Sequence, residues 1–224
     1  MVLKRGDKGS QVANLQKMLN KVINAGLKID GIFGNATFNA VIKYQRQKQI
    51  KPDGVVGDVT YSLLQRDYLE KTNEAPIIRN GKITFVKPLQ ELKPQAVKYL
   101  VLHHSAIAKD LKVEEIDRMH KSKGWAGIGY HFFITKSGEI FSGRPLNRMG
   151  AHVDGHNHES IGICFSGNFM EEELTHEQRQ AGVALVKWLK YKVYGNKVKV
   201  VGHKEIDSTA CPGRNFPLDA FKSL

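Results

Sequence analysis

Two stretches of this chain repeat one frame. DGIFGNATFNAV (Asp30 to Val41) and DGVVGDVTYSLL (Asp53 to Leu64) share D-G-x-x-G-x-x-T-aromatic, 23 residues apart. In each copy the Asp-Gly pair starts a turn. The second glycine, Gly34 or Gly57, is expected to supply a left-handed or close-approach backbone, and Asn35 or Asp58 to cap a helix. Upstream, Val12, Leu15, Leu19, Val22 and Ile23 fall on one helical face, with Ser10 as the start and Gly26 as the stop. Phe38, Val41, Ile42 and Gln45 continue the pattern in a second helix. The expectation is a small three-helix domain over residues 1–66. The segment Arg66 to Pro76 is polar, without a clear period, so residues 67–79 read as a linker.

Beyond it the pattern changes from helical to mixed. A β-branched run (Val198, Val200, Val201) ends on His203, and eight positions later comes Cys211, with Pro212 and Gly213 forcing a turn. An imidazole at a strand end and a thiolate on the next loop suit zinc, but two ligands do not make a site. His103 supplies a third at the end of the apolar run Tyr99 to Leu102. Two histidines and one cysteine leave one coordination position for water, the catalytic rather than the structural arrangement. His104 alternates to the opposite face of the strand from His103. Ile83 to Val86 reads as a short edge strand and Val113 to His120 as an amphipathic helix. YHFFIT and IFSGR form a hairpin. Thr175 and Gln178 form a capping box that opens a helix to about Tyr194, stopped by Gly195 and Asn196. Strands and helices in this order predict an α/β domain over residues 80–224, a mixed central sheet flanked by helices.

Composition restricts the partners. The 224 residues carry a formal charge of +12, so a polyanion is a plausible partner. The basic residues are scattered, however, with no basic stripe bearing base-reading side chains, which argues against nucleic acid. No apolar run approaches the length of a membrane span, and MVLKRGDKG lacks the apolar core of a signal peptide. Cys164 and Cys211 could pair as a disulfide, although a chain this long needs no staple. A structural zinc site would need a fourth protein ligand, His104 or Cys164.

The order LHHS, WAGIGYHFFIT, SGR, GAHVDGHN, SIGICFSGN and GHKEIDSTACPG resembles the zinc amidase family that includes phage amidase lysozymes and animal peptidoglycan-recognition proteins. The doubled frame after GDKGSQVANLQKML resembles the peptidoglycan-binding module of bacterial and phage wall hydrolases. The resemblance implies hydrolysis of the amide between N-acetylmuramic acid and L-alanine, with one zinc ion on His103, His203 and Cys211. It implies that Tyr130 orients the zinc water and that Thr209 stabilises the oxyanion, at a position where phage members often carry lysine. His152 and Asn157 match positions lining the substrate groove. Cys164 stands where another branch of the family has a catalytic glutamate, and here reads as a small buried residue. Exposed aromatics such as Phe33 are expected to form the glycan groove of the first domain. The whole resembles a phage endolysin: a monomer acting on bacterial peptidoglycan, inserting in no membrane and held in the host cytoplasm until the membrane is opened. The rival on the same fold is a non-catalytic peptidoglycan receptor, a class that typically lacks the cysteine ligand.

Overall fold

The computed structural model describes residues 2–72, 75–195 and 197–224. The chain divides into two compact units, residues 1–73 and 74–224. Among the described residues no helix is long and apolar enough to cross a membrane.

The first unit holds helices α1 (Ser10–Ile23), α2 (Asn35–Gln47) and α3 (Asp58–Thr72). Val12, Leu15, Leu19 and Val22 bury the predicted face of α1 against Val41, Tyr44 and Leu64. The residue preceding α1 is Gly9 and that preceding α2 is Gly34, each one position ahead of the residue expected to cap. The left-handed glycines are also displaced: Gly31 and Gly54 each have φ of +71°, whereas Gly34 is extended. A Cβ on Gly54 would collide with the Phe38 ring. Phe33, expected at the surface, is 1% exposed and belongs to the core, because the turn folds its odd position inward onto α1.

What holds both turns is a side chain that the repeated frame does not contain. Gln16 Nε2 donates to Asp30 Oδ1, Ile32 O and Thr37 Oγ1, while its Oε1 accepts from Gly31 N. Gln45 does the same with Asp53 Oδ1, Val55 O, Thr60 Oγ1 and Gly54 N. Each buried amide thus ties the Asp-Gly turn to the threonine of the following helix. Gln45→Ala is expected to lower the stability of this unit by about 2 kcal/mol, since it strands a buried backbone N–H. A denaturant titration of the helical signal checks this; a loss below about 0.5 kcal/mol would show that the turn holds itself.

Residues 67–72, expected in a linker, continue α3. Tyr44 Oη donates to Asp67 Oδ2 at 2.8 Å and Lys48 Nζ pairs with the same oxygen at 2.7 Å. Lys71 Nζ caps the α1 carbonyl of Val22. These tertiary bonds, rather than apolar periodicity, carry the helix onward.

The second unit is a six-stranded sheet in the order β1-β4-β3-β5-β2-β6, with strands β1 (Ile78–Asn80), β2 (Tyr99–His104), β3 (Phe132–Ile134), β4 (Ile140–Ser142), β5 (Ser160–Phe165) and β6 (Lys199–Gly202). All neighbours are parallel except the β3–β4 hairpin, so the sheet is mixed as expected. One face packs Leu100, Leu102, Ile161, Ile163 and Phe165 against α5 (His176–Trp188) and α6 (Leu218–Lys222). The other sets Phe133 and Cys164 against Ile116 of α4 (Val113–Ser122). The Thr175–Gln178 capping box forms, and a π-helical turn over Leu189–Val193 carries α5 towards Tyr194. The stop assigned to Asn196 lies outside the described residues. The edge strand is Ile78–Asn80, not Ile83 to Val86. Around the latter the chain bonds elsewhere, Lys82 N to Glu114 Oε1 and Val86 N to Ala126 O, so no ladder forms.

Candidate metal centre and active site

Strand β2 and its neighbour β6, the last strand of the sheet, run parallel and end side by side, which sets His103 and His203 at the same carboxyl edge of the sheet. This is the edge at which open α/β sheets bind ligands. After Gly202 the chain makes a 3-10 turn over His203–Glu205 and folds back, closed by Lys204 N donating to Cys211 O at 2.7 Å. Gly213, at φ +105°, then passes so close to the Phe169 backbone that a Cβ would collide with it. The fold-back brings Cys211 to the two histidines.

One donor atom from each of His103, His203 and Cys211 lies within 4.8 Å of the others. Cys211 Sγ is 3.7 Å from His103 Nδ1 and accepts the His104 backbone N–H at 3.4 Å. Among the described residues no other His, Cys, Asp or Glu joins this group. His104 turns to the opposite face, where its Nδ1 accepts from Phe169 N and its ring stacks on Phe169. Both cysteines are free, so the disulfide alternative does not form.

The donor chemistry fits a thiophilic divalent cation. Burial, then the nearby His203, holds His103 well below its usual pKa, leaving a neutral ring with a lone pair to offer. Burial pushes the Cys211 thiol up to about 11, although the His104 amide opposes this. A thiolate in this place calls for a cation beside it, as metal coordination provides.

Tyr130 lies against this group. Its ring centroid is 5.1 Å from that of His103 and 5.5 Å from that of His120. Burial raises its pKa well above 10, so the hydroxyl keeps its proton at neutral pH. The loop that presents it is fixed by His120, whose Nδ1 accepts from Gly129 N. Thr209 is exposed, and its Oγ1 accepts the Cys211 N–H at 3.2 Å, a contact that does not use the hydroxyl hydrogen.

His152 and Asn157, expected to line the substrate groove, make hydrogen bonds within the site. His152 is 8% exposed with Nδ1 at 3.1 Å from His103 Nε2. Asn157 Oδ1 accepts the backbone N–H groups of His152 and Val153. Sequence reasoning passed over Asp207, whose Oδ2 is 3.1 Å from His203 Nε2. The available signal was its position four residues beyond His203, on the turn that follows the strand.

Behind the site His131 is fully buried, its Nε2 donating to Arg148 O and its Nδ1 accepting from Gly162 N. Burial lowers its pKa to about 4. The folded pKa lies below the unfolded value of about 6.5, so the unfolded chain binds the proton first. The contribution of neutral His131 is present above pH 6.5 and is lost as pH falls from 6.5 to 4, on the order of 3 kcal/mol in total. Metal-free protein should show this loss in the second unit by denaturant titration at pH 7 and pH 4.5. A flat profile would show that His131 is not held neutral.

Fold and donor set together make a candidate metal centre at the carboxyl edge of a mixed sheet. The chain belongs to the N-acetylmuramoyl-L-alanine amidase family, whose profile matches residues 93–214. Residues 8–64 match the peptidoglycan binding domain. An endolysin of Klebsiella phage KP32 is 34% identical over 131 residues, covering 55% of this chain and 85% of its own. Peptidoglycan-recognition protein SC2 of Drosophila melanogaster is 36% identical over 130 residues, covering 54% and 70%. Among solved structures, the endolysin amidase LysCS from Clostridium intestinale superposes with a TM-score of 0.62 at 37% identity, covering 67% of this chain and 95% of that one.

Proposed function

We propose that this chain is an endolysin-type peptidoglycan hydrolase that cleaves the amide between N-acetylmuramic acid and L-alanine, using one zinc ion on His103, His203 and Cys211. The observation that carries the reading is the convergence of those three donors at the ends of β2 and β6, within a family of amidases. A zinc ion there would act as a Lewis acid and lower the pKa of a bound water to about 7.

The remaining chemistry is assigned to side chains of this chain. Tyr130, protonated and beside His103, orients the attacking water through its hydroxyl. The hydroxyl hydrogen of Thr209 is free to meet the oxyanion that develops on the lactyl carbonyl oxygen. A neutral hydroxyl stabilises that charge less than the ammonium often found in phage members. The C–N bond then breaks, and the proton given up by the water leaves on the L-alanine amine, Tyr130 assisting its transfer. His152 and Asn157 hold the site rather than the substrate. The first unit would keep the enzyme on the wall, with the positive charge favouring an anionic surface and weakening as salt rises.

The test is turnover of purified peptidoglycan with mass spectrometry of the products. Free stem peptides beginning with L-alanine should appear, vanish on chelation and return with zinc. Intact sugar–peptide linkages together with tight sacculus binding would instead make the chain a receptor.

A further inference from the structure

Each ligand histidine has two ring nitrogens, and the metal needs one of them bare. We propose that His152 with Ser160, and separately Asp207, are positioning residues that hold Nε2 of His103 and His203 in the protonated form and turn both Nδ1 lone pairs to the metal. The proposal rests on the zinc reading above.

The direction of the first chain follows from its far end. The His156 carbonyl oxygen can only accept, so Ser160 Oγ, 2.7 Å away, donates to it. The Ser160 oxygen is then left to accept, and its neighbour is His152 Nε2 at 3.5 Å, the longest link. With the proton on Nε2, a neutral His152 offers only a lone pair at Nδ1, 3.1 Å from His103 Nε2. His103 must therefore donate from Nε2, which strips Nδ1, the atom that faces Cys211 at 3.7 Å. Every donor points away from the metal. One backbone carbonyl thus sets the tautomer of a ligand several bonds distant.

His203 reaches the same state by a shorter route. The Asp207 carboxylate only accepts, so His203 donates to it from Nε2 at 3.1 Å. Asp207 is oriented in turn by the Ser208 N–H on its Oδ1. Its carboxylate stays ionised in this setting, the Ser208 amide and the His203 ring both favouring the charged form. The two ligands thus differ: His103 is backed by a neutral buried relay, His203 by an anion at the surface. Hydrogen-bonded outer partners of this kind fix ring orientation and raise ligand basicity.

The packing around His152 belongs to the same device. A Cβ on Gly162 of β5 or on Gly150 would collide with the His152 ring. The backbone leaves a slot on the His103 side of the sheet, and Asn157 fixes the entry of the loop that fills it. A groove-lining histidine would need neither constraint.

The test is zinc affinity of the full chain, measured by competition with a chromophoric chelator, together with the visible spectrum of the cobalt-substituted protein. Asp207→Ala should weaken zinc binding about 10- to 100-fold, with the melting temperature of the metal-free protein unchanged. Asp207→Asn, which keeps an acceptor oxygen and the Ser208 contact, should recover most of that loss and retain the wild-type cobalt spectrum. His152→Phe, which fills the slot without an acceptor, should weaken binding by a similar factor, and Ser160→Ala by less. Wild-type affinity in Asp207→Ala and Ser160→Ala would overturn the proposal even if His152→Phe failed to fold. A cobalt spectrum of altered coordination in Asp207→Asn would make Asp207 a direct ligand and overturn its positioning role. If the wild-type chain itself binds no zinc, the metal reading falls. If it binds zinc and the variants match it, only the present inference falls.

Discussion

Cys211→Ser is expected to release no stem peptide from purified sacculi, down to the level of chelated wild type, while still sedimenting with them. A serine hydroxyl occupies the same turn but is a poor zinc donor, and thiolate is the soft ligand of the set. The fold should survive. Cys211 sits on a loop held by the Lys204 N bond to its carbonyl and by Gly213 against Phe169, and neither uses the sulfur. The sulfur accepts one amide, from His104, which a serine oxygen can also accept. Binding should persist because the first unit contains none of these atoms. Normal turnover by zinc-loaded Cys211→Ser would remove the cysteine from the site.

The second large effect is expected for Tyr130→Phe. Its ring is wedged among His103, His120 and His152, beside one of the three candidate metal donors. Phenylalanine keeps that packing and deletes one oxygen. A group that orients the reacting water contributes in the transition state, so kcat should fall about 10²- to 10³-fold with little change in KM. The ring packing is kept, so stability should barely move. A rise in KM with kcat preserved would make Tyr130 a substrate contact instead.

The convergence of the candidate donors was legible because two of them close strands. His103 and His203 follow apolar runs, the parallel pairing of β2 with β6 brings those ends together, and Cys211 sits on a Pro-Gly turn. The supports were not legible. Gln16 precedes its aspartate by 14 residues and Gln45 by 8, so a search at a fixed repeat offset passes over both. Residues 67–72 looked like linker because their helix is fixed by Asp67 to Tyr44 and Lys48, contacts that local periodicity cannot encode. Phe33 looked like a turn residue offering its ring to a glycan, yet the core of a small domain claims it first. His152 and Asn157 read as groove residues, and their hydrogen bonds within the site were not legible, since those depend on how the loop closes.

The paired amide clamps of the first unit bear on how the two halves meet acid. Gln16 and Gln45 do not titrate. Their partners Asp30 and Asp53 have pKa values lowered, the first chiefly by the Gln16 amide and the second chiefly by the Val55 backbone N–H. Because the folded values lie below the ordinary 3.8, these carboxylates favour the fold at every pH above that and weaken it only below. The second unit begins to lose stability at higher pH, because His131 and His120 are held neutral in the fold, with pKa values of about 4, while the unfolded chain takes up those protons as pH falls from 6.5 to 4. The two units are therefore weakened by acid in different pH ranges, the second before the first.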